Sequence, residues 1–457
     1  MTKCLRLFLL AAIALPAAAQ QNFVVIFADD LGYGDIGPFG NPTIATPNLD
    51  RMAAEGQKWT QFYVASPVCT PSRAGLLTGR LPIRSGMTSD VEVVLFPDST
   101  GGLQHSETTI AEVLKQKQYA TAAIGKWHLG HLPKYLPMQQ GFDSYFGVPY
   151  SNDMDGVRED IPWKARFWHP KSEYWNVPLL RGEKEIERPA EQHTLTKRFA
   201  EETVKFIREN KDRPFFVYLA HSMVHVPLFV SEEFEGRSRR GLFGDTVEEI
   251  DWSVGRVLDT LRELGLDRKT LVVFTSDNGP WLTYFDHGGS AGPLRMGKGS
   301  TWEGGMREPT LMWQPGLVKP GTVHELGATL DLLPTFAALA GVDAPSDRAL
   351  DGYDLTAVLK GEGRSPRDSV LYYRGQSVWA VRQGPWKMHY KTKSGFLDDP
   401  MVEHDPPLLF NLEIDPGERR NVAAEHPEVI PRLDKLVAEH RRTVKPVKDQ
   451  LAERIRR

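Results

Sequence analysis

Cysteine is almost missing from this sequence. Its 457 residues hold two, Cys4 and Cys69, and Cys4 precedes a short apolar run at the N-terminus. Once that run is removed a single thiol is left. No internal disulfide can then form, and the fold must rest on packing alone. N-glycosylation signals are missing too: no Asn-x-Ser/Thr triplet with a centre other than Pro occurs, which excludes sorting through N-linked glycans. A basic excess is also missing, since Lys+Arg 55 against Asp+Glu 59 give a net charge of −4. A polyanion binder carries the opposite balance, so nucleic acid is a disfavoured partner, while a local basic pocket for a small anion stays open. There is no internal repeat, no low-complexity tract and no apolar run long enough to span a membrane. With 41% hydrophobic and 25% charged residues, the composition is that of an ordinary globular chain, not a disordered one.

What is present begins with a leader. Lys3 and Arg6, the apolar run Leu7 to Leu15 and the small residues Ala17, Ala18 and Ala19 predict a signal peptide over residues 1–19. The protein is therefore expected to be exported, to a bacterial periplasm or the medium. Phe23 to Phe27 then reads as a buried strand, followed by Asp29 and Asp30. Ala120 to Ile124 is a second strand, running into GKWHLG with Lys126 and His128. Phe215 to Leu219 is a third, followed by the segment that ends at His225. Leu271 to Phe274 is a fourth, followed by Asp277 and Asn278. Helices are predicted between them at Thr108 to Lys117, His193 to Asn210 and, with the clearest amphipathic spacing, Thr246 to Leu264.

Strands alternating with helices, with polar residues at the strands' C-terminal ends, predict an α/β fold with a site along one edge of a mostly parallel sheet. Residues 150–190 carry many aromatics without a period and read as a long inserted loop, either a substrate wall or a packed surface loop. Near Gly361 to Arg367 the texture turns polar. Short strands and a last helix around Pro427 to Arg441 follow. The expected division is a catalytic domain over 20–365 and a small sheet-plus-helix domain over 366–457.

The densest stretch is CTPSRAGLLTGR, Cys69 to Arg80. A helix starting near Pro71 and stopping at Gly79 would aim free N–H groups at Cys69, with Arg73 one turn away. A free Cys is most often a small buried apolar residue, but an arginine and a helix start make an electropositive setting for a thiol. Cys69, Pro71, Arg73, Thr78, Gly79 and Arg80 together match the pattern Cys-x-Pro-x-Arg followed by Leu-Thr-Gly-Arg, and the stretch resembles the signature of the type I sulfatases. GKWHLG, AHSMVHVP and GKGSTWEGGMREP are similar to further segments of that family in the same chain order.

The resemblance implies a large mixed, mostly parallel sheet flanked by helices, of the alkaline-phosphatase-like sulfatase type, with a smaller C-terminal sheet-plus-helix domain. It implies hydrolysis of an aryl or sugar sulfate ester. It implies that Cys69 is converted to formylglycine (3-oxoalanine) by a formylglycine-generating enzyme, and that the aldehyde hydrate is the nucleophile. One hydroxyl of that hydrate attacks sulfur, and deprotonation of the other expels sulfate. Asp29, Asp30, Asp277 and Asn278, with the modified Cys69, become the site of a calcium ion, with magnesium as the alternative for such hard oxygen donors. Arg73, Lys126 and Lys298 become clamps on the sulfate oxygens. His128 becomes the base, and His225, with Lys298, the proton donor to the leaving alcohol. Ser151, in PYSND, matches a serine near the site.

Two departures qualify the match. The animal members' cysteines are absent, so their disulfides do not carry over, and residues 150–190 match poorly beyond Asp153. Two other readings of the same residues are a phosphate or phosphonate monoester hydrolase and a non-catalytic binder of sulfated glycans.

Overall fold

The computed structural model describes residues 21–445 and 447–455; the leader expected over 1–19 lies outside the described residues. Asn22–Ala28 is the middle of the molecule and is buried along its whole length. Its sequence, NFVVIFA, has almost no polar side chain, so it is stable only as a strand covered on both faces. Phe23, Val25 and Phe27 enter one core while Val24, Ile26 and Ala28 enter the other.

Ten strands share this sheet. From one edge to the other they are Gly321–Val323, Gln57–Trp59, Thr310–Trp313, Thr270–Ser276, Asn22–Ala28, Phe215–Ala220, Ala120–Lys126, Ser144–Val148, Leu179–Arg181 and Lys184–Glu187. The five from Thr270–Ser276 to Ser144–Val148 run parallel to one another. Thr310–Trp313 and Leu179–Arg181 are antiparallel to their inner neighbours, so the sheet is mixed. The helices Pro47–Glu55, Leu195–Glu209 and Leu242–Glu263 cover one face. Cys69–Thr78, Ile110–Lys115 and Leu332–Ala340 cover the other. No helix among the described residues is long and apolar enough to cross a membrane.

Several elements differ from the sequence expectation. The helix expected over Thr108 to Lys117 is shorter, because Thr109 and Glu112 form a reciprocal capping box that fixes its start at Ile110. Residues 150–190 are not one loop. They contain the helix Trp163–Trp168, and their last part adds the strand Leu179–Arg181, whose hairpin partner is Lys184–Glu187. The hairpin turns through Gly182 at φ 60, a backbone angle that glycine adopts freely. The aromatics hid both elements because they pack across segments: Phe167 meets Trp175 at 5.0 Å, and Trp163 meets Tyr284 at 5.4 Å.

After residue 365 comes an antiparallel meander, Ser369–Arg374, Ser377–Gln383, Trp386–Thr392 and Val402–Asn411, covered by the helix Val429–Thr443. Its apolar side merges with Tyr63, Val64, Ala65 and Leu81 of the earlier chain. A buried ionic seam joins the two parts. Glu303 accepts from Tyr63 at 2.6 Å, Tyr372 at 2.7 Å and Lys387 at 2.9 Å. Glu418 accepts from Lys387 at 2.9 Å, His389 at 2.7 Å and the Glu303 backbone N–H at 2.7 Å. Burial pushes the Glu303 carboxyl up, but Lys387, Arg307 and Arg382 outweigh it and hold the group below the usual carboxylate range.

Candidate active site

The candidate residues converge because neighbouring strands end level. Ala28 pairs with Ser276 at the last rung between Asn22–Ala28 and Thr270–Ser276. The next residues, Asp29 and Asp30 on one strand and Asp277 and Asn278 on the other, therefore emerge side by side. On the other flank Phe27 pairs with Ala220, Gly125 with Ala220 and Lys126 with Val148. His225, Lys126, His128 and Ser151 thus leave the same edge of the sheet. This is the carboxyl edge, where a doubly wound sheet opens a crevice.

Three carboxylates crowd that edge. The Asp30 N–H donates to Asp277 Oδ1 at 3.1 Å, and Asn278 Nδ2 donates to Asp30 Oδ1 at 2.7 Å. A ligand atom from each of Asp29, Asp30, Asp277 and Cys69 lies within 4.8 Å of the others, and all four residues are buried. Burial raises Asp30, and Asp29 and Asp277 push the same way; Lys298 opposes them, leaving the group at about 7. Burial and Asp29 likewise raise Asp277 against the pull of Arg73. Asp29 goes the other way: burial raises it, but Lys126 and Arg73 outweigh that and hold it well below its usual value. Asp30 also has φ 60, a left-handed angle that costs a non-glycine residue of order 1 kcal/mol and recurs at functional sites.

Cys69 is the first residue of the helix Cys69–Thr78, after Val68. The helix was expected to start near Pro71, whereas Pro71 sits third, inside the first turn where a missing N–H is harmless. All ten helix residues are buried, and Gly79 closes the helix at φ 65. Cys69 Sγ is 3.5 Å from Asp29 Oδ1. Burial pushes its thiol well above the ordinary value, and Lys126 and Lys298 offset only part of this. The thiol is thus held protonated, a poor state for a nucleophile. Arg73, one turn on, directs each of its three nitrogens to a partner within the protein. Its Nε and Nη2 donate to Asp277 Oδ2 at 3.0 and 2.7 Å, Nη1 donates to the Lys126 carbonyl at 3.1 Å, and Nη2 lies 3.4 Å from Asp29.

Lys126 Nζ donates to Asp29 Oδ2 at 2.6 Å and to Ser151 Oγ at 3.1 Å. Lys298 Nζ donates to Asp30 Oδ2 at 2.8 Å. His225 Nδ1 lies 2.6 Å from the Val226 carbonyl, and its Nε2 lies 3.6 Å from Asp30 Oδ2. His128 Nε2 lies 2.8 Å from the Leu95 carbonyl. A carbonyl only accepts, so Nε2 carries the proton and Nδ1 keeps its lone pair. That Nδ1 is buried and has no partner. Burial, then the nearby lysines, holds both imidazoles well below their usual value, so both are neutral.

Comparisons with known proteins show the family. The Sulfatase family model matches residues 21–342, and the model for the C-terminal region of aryl-sulfatase matches residues 365–456. The chain belongs to the sulfatase family. It is 42% identical to arylsulfatase A of Homo sapiens over 463 residues, covering 94% of this chain and 89% of the relative. It is 39% identical to N-acetylgalactosamine-6-sulfatase of Canis lupus familiaris over 488 residues, covering 97% and 91%. The PsFucS1 sulfatase from Pseudoalteromonas sp. superposes with a TM-score of 0.83 at 29% identity, covering 95% of this chain and 92% of that one. The protein is a sulfuric ester hydrolase.

Membership of the sulfatases implies a metal ion and a formylglycine. The donor set fits both. Asn278 Oδ1 is buried without a hydrogen-bond partner, next to three carboxylates whose mutual repulsion a cation would relieve. These are hard oxygen donors of the kind that hold calcium or magnesium. For the formylglycine, the observation is the buried Cys69, free of any disulfide, whose Sγ meets Asp29 Oδ1 at the rim of that cluster.

Two neighbours of the site were missed in the sequence. Trp281 has its ring centre 4.2 Å from Lys298 Nζ and meets the His225 ring edge-on at 5.3 Å, so it packs against both side chains. Its place three residues after Asn278 was a usable signal. Phe396, 5.5 Å from Trp281, comes from beyond the meander's third strand and carries no sequence signal. A groove of about 610 Å³ lies elsewhere, around Asp143, Ser144, Asn210 and Arg213, near the amino ends of two strands. It shares no residue with the cluster described above.

Proposed function

We propose that this sulfatase acts through a formylglycine derived from Cys69 beside a calcium ion held by Asp29, Asp30, Asp277 and Asn278, with magnesium as the alternative. The observation that carries this reading is the meeting of three buried carboxylates and the Cys69 side chain within 4.8 Å. When formed, the aldehyde hydrate supplies two hydroxyls on one carbon, so that a group taken by one can be expelled by the other. The cation supplies fixed positive charge for anionic oxygens.

The chain's own residues do the rest. Lys126 and Lys298 hold the sulfate group from two sides. Arg73 has its donors engaged by Asp277, Asp29 and the Lys126 carbonyl, so we assign it to positioning those groups instead of gripping sulfate directly. His128 takes a proton at Nδ1, the lone pair left free by its bond to Leu95. His225 gives a proton to the departing alcohol oxygen. It is neutral in the free enzyme, and the negative charge of a sulfate ester beside it raises its proton affinity. Ser151 lies between Lys126 and His225 and orients both.

Maturation requires a formylglycine-generating enzyme. The leader sends the protein to the periplasm or the medium, and the domain boundary falls at residues 365/366. Substrates are aryl or sugar sulfates. The test is initial rates on p-nitrophenyl sulfate and p-nitrophenyl phosphate. Faster sulfate release is expected; faster phosphate release would make the protein a phosphate or phosphonate ester hydrolase on the same site. Tight binding of sulfate esters without turnover, with formylglycine confirmed, would make it a glycan binder.

A further inference from the structure

The segment after Ser151 carries a polar atom that the mechanism does not use. Ser151 and the next residue, Asn152, are rigidly held. Ser151 Oγ accepts from Lys126, while Asn152 Nδ2 donates to Gln192 Oε1 at 3.1 Å and to the Pro227 carbonyl at 3.0 Å. The Met154 N–H donates back to the Ser151 carbonyl at 3.2 Å and closes a turn. Asp153 is at the third position of that turn. Its residue is partly exposed, but its Oδ1 is buried and has no hydrogen-bond partner. Met154, the next residue, packs against the cluster of Val68, Cys69 and Val94, to which Phe96 and Phe396 also belong. Asp153 therefore stands between the proton-transfer residues and the apolar rim around the nucleophile position. Burial raises its carboxyl, opposed by Lys298, Lys126 and the neighbouring Ser151 hydroxyl, and Oδ1 itself is left without a partner.

A buried acceptor left unpaired carries an uncompensated desolvation cost. A ligand that brings a donor to it relieves that cost, and a ligand without one leaves it in place. A plain phenol or sterol sulfate has no second donor, whereas a sugar sulfate carries hydroxyls or an amide N–H along with an apolar C–H face. Met154, Trp281 and Phe396 offer apolar surface for such a face. We infer that Asp153 is a specificity-determining residue that accepts a hydrogen bond from a hydroxyl or N–H of the leaving alcohol, and that the alcohol is a sugar. This rests on the sulfatase reading of the site.

The experiment compares the wild type with Asp153→Ala and Asp153→Asn on p-nitrophenyl sulfate and on a panel of hexose and N-acetylhexosamine monosulfates differing in sulfate position. The wild type is expected to cleave at least one sugar sulfate. On that sugar Asp153→Ala should lose about ten-fold more kcat/KM than on p-nitrophenyl sulfate, chiefly through KM. Asp153→Asn, which keeps an acceptor oxygen, should recover much of the difference. Equal losses on both substrates would mean that Asp153 acts through Ser151 and its neighbours, and would overturn the inference. So would no selective loss, or a wild type that cleaves p-nitrophenyl sulfate but none of the sugars. Failure of the sulfatase reading is read separately, as absence of p-nitrophenyl sulfate turnover by the wild type. Thermal melts of both variants separate selective loss from misfolding.

Discussion

Two of the buried charged clusters among the described residues are built on opposite plans. In the seam between the large sheet and the C-terminal meander, acids alternate with cations and hydroxyls. All four carboxylate oxygens of Glu303 and Glu418 accept from a protein donor, and Glu303 is held below its usual pKa because its cations outweigh its burial. At the sheet's carboxyl edge, Asp29, Asp30 and Asp277 face one another. There Asp30 and Asp277 are raised by burial and by their acidic neighbours, and Asn278 Oδ1 and His128 Nδ1 have no partner. The first cluster has every carboxylate oxygen of its two acids satisfied as folded, although His389 Nδ1 is buried without a partner. The second sets Arg73, Lys126 and Lys298 against its three carboxylates, yet it keeps two of those acids raised and leaves polar atoms without partners, which is the state expected of a site that holds a cation and an anionic substrate.

The difference can be broken from either side. The largest effect is expected in activity. Asp30→Asn should lower turnover by roughly a thousand-fold or more through loss of a cation ligand and of the charge that orients Lys298. In the presence of a chelator the same variant should be more stable than the wild type at pH 8, by about 1–2 kcal/mol, since a functional site stores repulsion that a neutral side chain relieves. The sign follows from the raised carboxyl. The metal-free folded state binds this proton more tightly than the unfolded chain, so its stability contribution falls as pH rises from about 4 to about 7. Urea midpoints at pH 5 and pH 8 check it. A destabilised Asp30→Asn protein under those conditions would mean that the cluster is structural.

Lys387→Met makes the reverse change in the seam, leaving Glu303 and Glu418 without their shared cation. A loss of about 3–5 kcal/mol is expected, read as a shift in urea midpoint. A loss under 1 kcal/mol would erase the contrast between the clusters.

Metal removal should act on one cluster only. A chelator is expected to lower the melting temperature and activity of the wild type, and calcium to restore both, while Asp30→Asn shows a much smaller shift in melting temperature.

The smallest effect serves as a reference. His221 is buried away from either set of charges, and burial alone lowers its pKa to about 3. Its folded pKa is depressed, so stability falls as pH drops below about 6.5, where the unfolded chain takes up a proton that the folded one refuses. His221→Gln should flatten the stability profile between pH 6.5 and 4.5 by about 1.4 kcal/mol per pH unit. An unchanged slope would mean that burial contributes less than assumed to the site's own shifts.

Much of the candidate cluster's convergence was legible because its residues follow strands directly. A Val- and Ile-rich run ending in two acids, as at Val24 to Asp30, marks a sheet edge without any knowledge of the partner strand. What sequence could not supply was register. Asp29 and Asp277 are 248 residues apart, and only the pairing of Ala28 with Ser276 puts them level. The role of Arg73 shifted for the same reason. Its place one turn after Cys69 was readable, but its bonds to Asp277 and to the Lys126 carbonyl are tertiary. The seam of Glu303, Lys387 and Glu418 left no local pattern, since each member is an ordinary charged residue in its own segment. The Trp163–Trp168 helix was hidden by aromatics whose partners lie near residue 284.

The central claim is that Cys69 is a precursor and that its thiol does no chemistry. The most direct measurement is turnover of p-nitrophenyl sulfate per molecule, set against the fraction of Cys69 converted to aldehyde. That fraction is read from the mass of the peptide containing it, in preparations made with and without a co-expressed formylglycine-generating enzyme. The account predicts a straight line through the origin, with Cys69→Ala at zero. Turnover that persists in fully unconverted protein, or that does not rise with conversion, would contradict it.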